Sequence, residues 1–158
     1  MKFEELDMNN MPIMNISQLQ VTLFSYIQIA YQLLIKMERK MEGVILNPIE
    51  EFLVFDVKQE SYKMLIVNYL TALLGKRKND KISLYNHPIK GQEQAIEQFF
   101  NTNADELDAV FRVRDKVYSH VDVDFINACK NISFDFIEKC IDFLRKVLDI
   151  RQEVQFVS

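Results

Sequence analysis

The chain has 158 residues, of which 49% are hydrophobic and 27% charged, and its formal net charge is -4 at pH 7. This negative charge excludes a protein that coats nucleic acid through overall positive charge, so any contact with nucleic acid must be local. The length predicts a single domain over residues 1–158, with a core large enough to be stable without disulfides or a metal ion.

The sequence favours a cytoplasmic protein without a membrane segment. Residues 1–10 are acidic where a signal peptide needs a basic and then an apolar region. The apolar stretches are periodic and shorter than the roughly 20 residues that a bilayer span requires. Cys129 and Cys140 would lie roughly 16 Å apart on a helix, too far for a disulfide, so we expect two free thiols in a reducing compartment.

Helical spacing of apolar residues and the small number of glycines and prolines predict an all-α fold. We expect an up-and-down bundle of about five helices after an irregular arm over residues 1–15. The first helix is predicted to begin with Ser17 as its N-cap, with Gln20 reaching back, and to end near Gly43. Its predicted apolar seam comprises Leu23, Ile27, Ala30, Leu34, Met37 and Met41.

The middle of the chain predicts two separate helices and a basic loop. A short helix is expected after Asn47-Pro48. Asp56 and Gln59 predict the cap of a second long helix, which Gly75 closes after Leu74. The loop KRKNDKISLYNHP then leads to a third, shorter helix over roughly residues 91–100.

The last two predicted helices carry the most informative residues. Asn103 and Glu106 predict a capping box for a fourth helix extending toward Ser119, and Ser133 predicts the cap of a last helix over about residues 134–152. The last helix carries two adjacent apolar rows, Phe136, Cys140, Phe143, Val147, Ile150 and Ile137, Ile141, Leu144, Leu148. So wide a face fits a helix buried in the domain or one shared with a second subunit.

Arg114 lies on the apolar face of the fourth helix, where the spacing predicts another apolar residue. Burying an unpaired guanidinium is costly, so we expect an acid such as Asp108 or Glu106, or a phosphate-bearing ligand, beside it. His120 follows about 9 Å further along an ideal helix and some 120° away in azimuth. Histidine suits proton transfer near neutral pH, and arginine suits stabilisation of a charged phosphoryl group.

The string from Arg114 to His120, RDKVYSH, resembles the R-x(4–6)-H motif of the HEPN superfamily. With the following VD it is similar to the abortive-infection U-type branch of that superfamily, and the resemblance extends over residues 61–122. It implies a HEPN-like, homodimeric helical domain that cleaves RNA without a metal or other cofactor, in a cleft built from the motifs of both subunits.

In that resemblance, His120 moves the proton as a ribose 2′-OH attacks the adjacent phosphate, and Arg114 stabilises the charged phosphorane. Asp115 orients Arg114 or His120. Four further residues are expected to line the RNA site, namely Arg112, Lys116, Ser119 and Tyr118, although Tyr118 also falls on the apolar face and suits the core.

The implied partners are RNA, a second copy of the chain and an antitoxin or regulatory protein, as in a toxin or phage-defence effector. Asp122 stands where nucleotide-modified toxins of this kind have tyrosine, so that form of silencing is not expected. One alternative is an inactive HEPN-like module that binds a protein partner through the wide face of its last helix. Another is a helical bundle in which Arg114 makes only a structural ion pair.

Other polar residues predict less. Four basic residues in the loop after the second helix either contact an RNA backbone or, as we expect, only solvate a helix end; they are Lys76, Arg77, Lys78 and Lys81. His87 precedes Pro88 and is expected to be a surface turn residue. Two distant histidines and the lack of a Cys-x-x-Cys pair leave no ligand set for zinc.

Overall fold

The computed structural model describes residues 15–43, 49–115 and 133–148. Within these residues the chain forms five α-helices and no strand, which confirms the predicted all-α class. The helices are α1 (Ile16–Met41), α2 (Ile49–Leu74), α3 (Glu93–Thr102), α4 (Ala104–Val113) and α5 (Phe134–Leu148). None of these described helices is long and apolar enough to cross a membrane.

The start of α1 differs from the prediction. Asn15, not Ser17, is the N-cap: its side chain accepts a hydrogen bond from the Gln18 N–H at 2.8 Å, and the Gln18 side chain accepts one from the Asn15 N–H at 3.0 Å. Gln20 is 1% exposed. Its amide donates to the carbonyls of Ile82 and His87 at 3.1 Å each. Gln20 therefore holds a loop, because it lies one turn before Phe24 on the buried face of α1.

The two predicted middle helices are one continuous helix, α2. Asp56 lies inside this helix and does not cap it, and the Gln59 side chain donates to Glu38 on α1 at 2.9 Å. The reason is that residues 49–74 contain neither glycine nor proline, so nothing in the backbone stops the helix at Asp56.

The helices α1 and α2 form an antiparallel hairpin. The rings of Tyr26 and Tyr69 pair at one end, 6.0 Å apart, and Gln59 bonds to Glu38 nearer the other end. The helix α5 packs against α1 and α3, and α4 packs against α2 and α3. The hairpin contributes Phe24, Ile27, Ala30 and Leu34 of α1 and residues 66–74 of α2 to the core of the described residues, and α3, α4 and α5 contribute the buried residues of their apolar faces. Phe24 takes the buried place predicted for Leu23, which is only partly buried.

The last helix is covered by the chain itself. Ser133 caps α5 as predicted, since its hydroxyl accepts a hydrogen bond from the Phe136 N–H at 3.1 Å. Members of both apolar rows are buried in the single chain: Phe136, Ile137, Cys140, Ile141, Leu144 and Val147. The buried-helix interpretation of the wide face is thus the one that the structure supports. Burial also raises the pKa of the free Cys140 thiol to about 12; Cys129 lies outside the described residues.

A single residue, Asn103, joins α3 to α4, and the predicted capping box is absent there. The Asn103 side chain donates to the Phe99 carbonyl at 2.8 Å, and its buried Oδ1 has no hydrogen-bond partner. The junction is too short for Asn103 to take the extended conformation of a side-chain cap, and its φ and ψ are -113° and 22°. The tight turn nevertheless holds α4 against α2.

Candidate functional site

A cleft of about 300 Å³ lies where the end of α2, the loop after it and the end of α4 meet. The α4 side provides part of the motif predicted to be functional. The residues that line the cleft are Asp108, Phe111, Arg112, Arg114 and Asp115 from the α4 side, and Gly75, Lys76, Arg77 and Asp80 from the loop side.

Arg114 has an acidic partner, Asp115. Its Nε and one terminal nitrogen each lie 2.9 Å from Asp115 Oδ1, and its guanidinium carbon is 5.8 Å from the centre of the Phe111 ring. The acid expected beside Arg114 is therefore Asp115, which the motif also places next to it. Arg114 and Asp115 continue α4 in a wider, π-type turn, and the Arg114 side chain keeps only 18% of its surface exposed.

Asp115 joins two arginines from different parts of the chain. Its Oδ2 accepts a hydrogen bond from the guanidinium of Arg77 at 2.5 Å, while its Oδ1 accepts from Arg114. Burial by itself would raise the pKa of Asp115, but the hydrogen bonds from Arg77 and Arg114 outweigh it, so the pKa lies below its ordinary value. Asp115 is thus a carboxylate at neutral pH, which suits it to orient arginines and not to donate protons.

The loop side of the cleft depends on a close contact at Gly75. Asp80 accepts a hydrogen bond from the Arg77 N–H at 2.7 Å, and its carboxylate lies against the Gly75 Cα. A Cβ at position 75 would overlap the Asp80 carboxylate and lie 2.8 Å from the Thr71 carbonyl oxygen. Glycine is therefore required here for space, and it lets the loop fold back onto the end of α2.

The basic loop is divided between two environments. Lys76 and Arg77 line the cleft, and the Lys76 ammonium lies 5.2 Å from the centre of the Phe100 ring. Lys78 and Lys81 are exposed and do not line the cleft. The expectation that the whole loop only solvates a helix end is therefore wrong for Lys76 and Arg77. His87 is exposed in the turn, as predicted.

The cleft is locally positive in an acidic protein. It is lined by four basic side chains, Lys76, Arg77, Arg112 and Arg114, and by three acidic ones, Asp80, Asp108 and Asp115. The whole chain carries a formal charge of -4. This distribution favours a site for an anion over a general affinity for polyanions.

The structure brings together some of the predicted site residues. Arg112, Arg114 and Asp115 line one cleft. The other predicted residues, Lys116, Tyr118, Ser119 and His120, lie outside the described residues, as does Asp122. The position of His120 relative to the cleft therefore stays a prediction.

Arg77 is the residue that sequence reasoning missed. It lies 38 positions before Asp115, and no spacing rule connects a loop residue with the end of a helix at that separation. The available signal was Gly75 followed directly by basic residues, which predicts a chain reversal that carries positive charge back toward the bundle.

Within the described residues, no group of three or more histidine, cysteine, aspartate or glutamate side chains is arranged to hold a metal ion. Comparison of the chain with models of protein families, with curated proteins and with solved structures found no match. Conclusions about function therefore depend on the geometry of the cleft and on the residues of the motif.

Proposed function

We propose that the protein is a metal-independent endoribonuclease of the HEPN type that acts as a toxin or phage-defence effector. One observation carries this proposal: Arg114, the first residue of the R-x(4–6)-H motif, lies in a locally positive cleft and is oriented there by Asp115. A guanidinium held by a carboxylate in such a cleft is suited to a phosphodiester.

In the proposed reaction, the 2′-oxygen of a ribose forms a bond to the adjacent phosphorus, and the bond from phosphorus to the 5′-oxygen breaks. His120 accepts the proton of the 2′-OH or returns a proton to the leaving 5′-oxygen. Arg114 stabilises the negative charge of the phosphorane, and Asp115 keeps the guanidinium in place. The products carry a 2′,3′-cyclic phosphate and a 5′-OH.

The reaction can be tested with end-labelled RNA in the presence of a chelator. We expect the wild-type protein to cleave the RNA and leave a cyclic phosphate. Arg114→Ala and His120→Ala should each reduce the rate at least about 100-fold, because each removes a group that acts on the transition state. Lys78→Ala is the matched control, since Lys78 is exposed near the cleft without lining it. Equal cleavage by all four proteins would contradict the proposal.

The proposed homodimer needs an apolar surface other than α5. Such a surface lies on α2, where four exposed side chains fall within an arc of about 100°. They form the α2 strip: Leu53, Val54, Val57 and Met64. On α1, Tyr26, Ile29 and Leu33 are also exposed and lie on one side of the helix. We propose that a second copy of the chain covers the α2 strip, since exposed apolar side chains grouped in this way are typical of an interface.

The dimer can be tested by measuring the mass in solution. We expect twice the mass of the chain for the wild-type protein. A variant with both Leu53→Asp and Val57→Asp should be a monomer, because it places charge in an apolar contact. Lys78→Asp should leave the mass unchanged. A wild-type monomer would contradict the proposal that the motifs of two subunits form one cleft.

The exposed side chains of α1 and α2 also favour one alternative, an inactive interaction module. In this alternative the wide face of α5 was the expected binding surface, but it is covered within the described residues. The partner would therefore bind the α2 strip. The absence of RNA cleavage, combined with loss of association in the Leu53→Asp, Val57→Asp variant, would favour this alternative.

A further inference from the structure

An arginine outside the motif shares a carboxylate with Arg114. Arg77 donates to Asp115 Oδ2, and Arg114 donates to Asp115 Oδ1. Because the two guanidinium groups contact two oxygens of one carboxylate, their nearest nitrogens lie no more than about 8 Å apart. Two oxygens of one phosphate group, each at hydrogen-bond distance from a guanidinium, span a similar separation.

The charge of this cluster favours an anion as ligand. Two guanidinium groups face one carboxylate, so the three side chains carry one net positive charge. Arg77 is 62% exposed and Asp115 is 42% exposed, so a ligand in the cleft can reach both. Ion pairs with this much exposure contribute little to stability. Arg77 contacts Asp115 through one terminal nitrogen, so the other N–H donors of its guanidinium can bind a ligand while that contact is kept.

The backbone of Arg77 is fixed although its side chain is exposed. Its N–H donates to the Asp80 carboxylate at 2.7 Å. Its carbonyl accepts from the Asp80 N–H at 2.9 Å and from the Asn86 side-chain amide at 2.9 Å. These bonds hold the Cα of Arg77 beside the end of α4. The guanidinium therefore starts from a defined position, unlike that of an arginine on an unstructured loop.

We propose that Arg77 and Arg114 together bind one phosphate group of single-stranded RNA in this cleft, with Asp115 spacing the two guanidinium groups. This inference rests on the proposed ribonuclease function for the identity of the ligand. Arg77 is assigned as a substrate-binding residue that the motif does not contain. Arg77 contributes through charge and through its two-pronged donor geometry, which lysine lacks.

The experiment measures binding separately from cleavage. The probe is a fluorescein-labelled, single-stranded 2′-O-methyl RNA of mixed sequence, which keeps every phosphate but lacks the attacking 2′-OH. Fluorescence anisotropy gives its affinity at several salt concentrations for four full-length proteins: wild type, Arg77→Ala, Arg77→Lys and Lys78→Ala. Cleavage of ordinary RNA is measured in parallel.

We expect Arg77→Ala to weaken binding about tenfold or more at low salt, since it removes a hydrogen bond between charged groups. It should also reduce the slope of log affinity against log salt by about 0.7, the change expected for one phosphate contact on a single strand. Arg77→Lys should keep the slope but bind more weakly, and Lys78→Ala should resemble the wild type. Circular dichroism checks that each variant is folded.

Two results would overturn the inference: equal slopes for Arg77→Ala and Lys78→Ala, or no binding of the probe by the wild type at low salt. The proposed function fails in a different way. If binding depends on Arg77 but no protein cleaves ordinary RNA, the phosphate site stands and the ribonuclease proposal is wrong. If cleavage depends on Arg114 while Arg77→Ala binds and cleaves like the control, the ribonuclease stands and the role of Arg77 is wrong.

Discussion

The two halves of α2 both carry apolar residues but have different surroundings. The inner half, residues 62–74, provides six buried residues: Ile66, Val67, Leu70, Thr71, Leu73 and Leu74. The outer half, residues 49–61, has no buried side chain among those described, yet it carries Leu53, Val54 and Val57. The inner half leads directly to Gly75 and the cleft. Apolar residues in one helix thus serve the core at one end and face solvent at the other.

This difference shows that an apolar residue in a helix does not by itself mark the core. The described core residues of α2 all lie in its inner half, and in the outer half Gln59 bonds to Glu38 of α1. Matched substitutions at the two ends should therefore have different effects.

The largest expected effect separates two leucines of the same helix. Leu73→Ala should destabilise the protein by about 2–5 kcal/mol, because Leu73 is fully buried and its removal leaves a cavity. Leu53→Ala should change stability by less than about 0.5 kcal/mol per folded chain, since Leu53 is 52% exposed. Urea unfolding at low protein concentration measures both. Equal losses would show that the outer half is also part of the core.

The next effect concerns the junction between the inner half and the cleft. Gly75→Ala should cost about 1–3 kcal/mol, because the new Cβ overlaps the Asp80 carboxylate, which is tied to the Arg77 N–H. Adding Asp80→Gly should recover part of the loss by removing that carboxylate. Thermal unfolding of the single and double variants tests this. If the double variant is no more stable than Gly75→Ala, the contact with the Thr71 carbonyl is the cause of the lost stability.

Each end of the α1–α2 hairpin has a glutamine whose side-chain hydrogen bonds can be removed by substitution. Gln20→Ala should cost roughly 1–2 kcal/mol, because it leaves the carbonyls of Ile82 and His87 without their shared donor. Gln59→Ala should cost less than about 0.5 kcal/mol, since its partner Glu38 can turn to water. Urea unfolding compares them. A larger loss of stability for Gln59→Ala than for Gln20→Ala would show that the outer end contributes more to stability than the inner end.

The smallest effect is pH-dependent. The pKa of Asp115 lies below the ordinary value of 3.8, so its charged form stabilises the fold above that pH. This contribution is lost as the pH falls through the lowered pKa. Because Asp115 is 42% exposed, Asp115→Asn should cost less than about 1 kcal/mol near pH 7, and less still near pH 3.

Urea unfolding at the two pH values gives this difference, with Glu60→Gln as the control from the outer half. Glu60 pairs with Lys63 at 3.4 Å within α2 and lies far along the helix from the cleft. An Asp115→Asn cost that does not change with pH would show that the ionised carboxylate is not the cause.

The sequence predicts the helices better than their ends. Local patterns identify α1, α5 and the Ser133 cap, and Gly43 at φ 74° ends α1 as expected. The caps predicted at Ser17 and Asp56 are wrong, and Asn103 is the N-cap of α4 but lacks the predicted capping box. Cap-forming side chains also suit other places. Asn15 forms the same box two residues earlier, and Gln59 finds a partner on α1. Such choices depend on packing between helices, which local sequence does not contain.

The candidate site could also be predicted only in part from the sequence. The apolar periodicity predicts that Arg114 needs a partner, and the motif suggests that Asp115 acts beside it. The contribution of Arg77 could not be predicted, because it requires Gly75, Asp80 and the loop to fold back onto α4. Contacts of that kind depend on the position of a loop and not on the spacing within a helix.

The hydrogen bonds that hold the loop after α2 also bear on the thermodynamics of binding. Because Asp80 and Asn86 already fix the backbone at Arg77, a ligand need not order it, a step that otherwise costs roughly 1–2 kcal/mol per residue. Binding should then lack the large negative heat-capacity change of coupled folding. Its association rate should be set by diffusion and charge attraction, and should fall steeply as ionic strength rises.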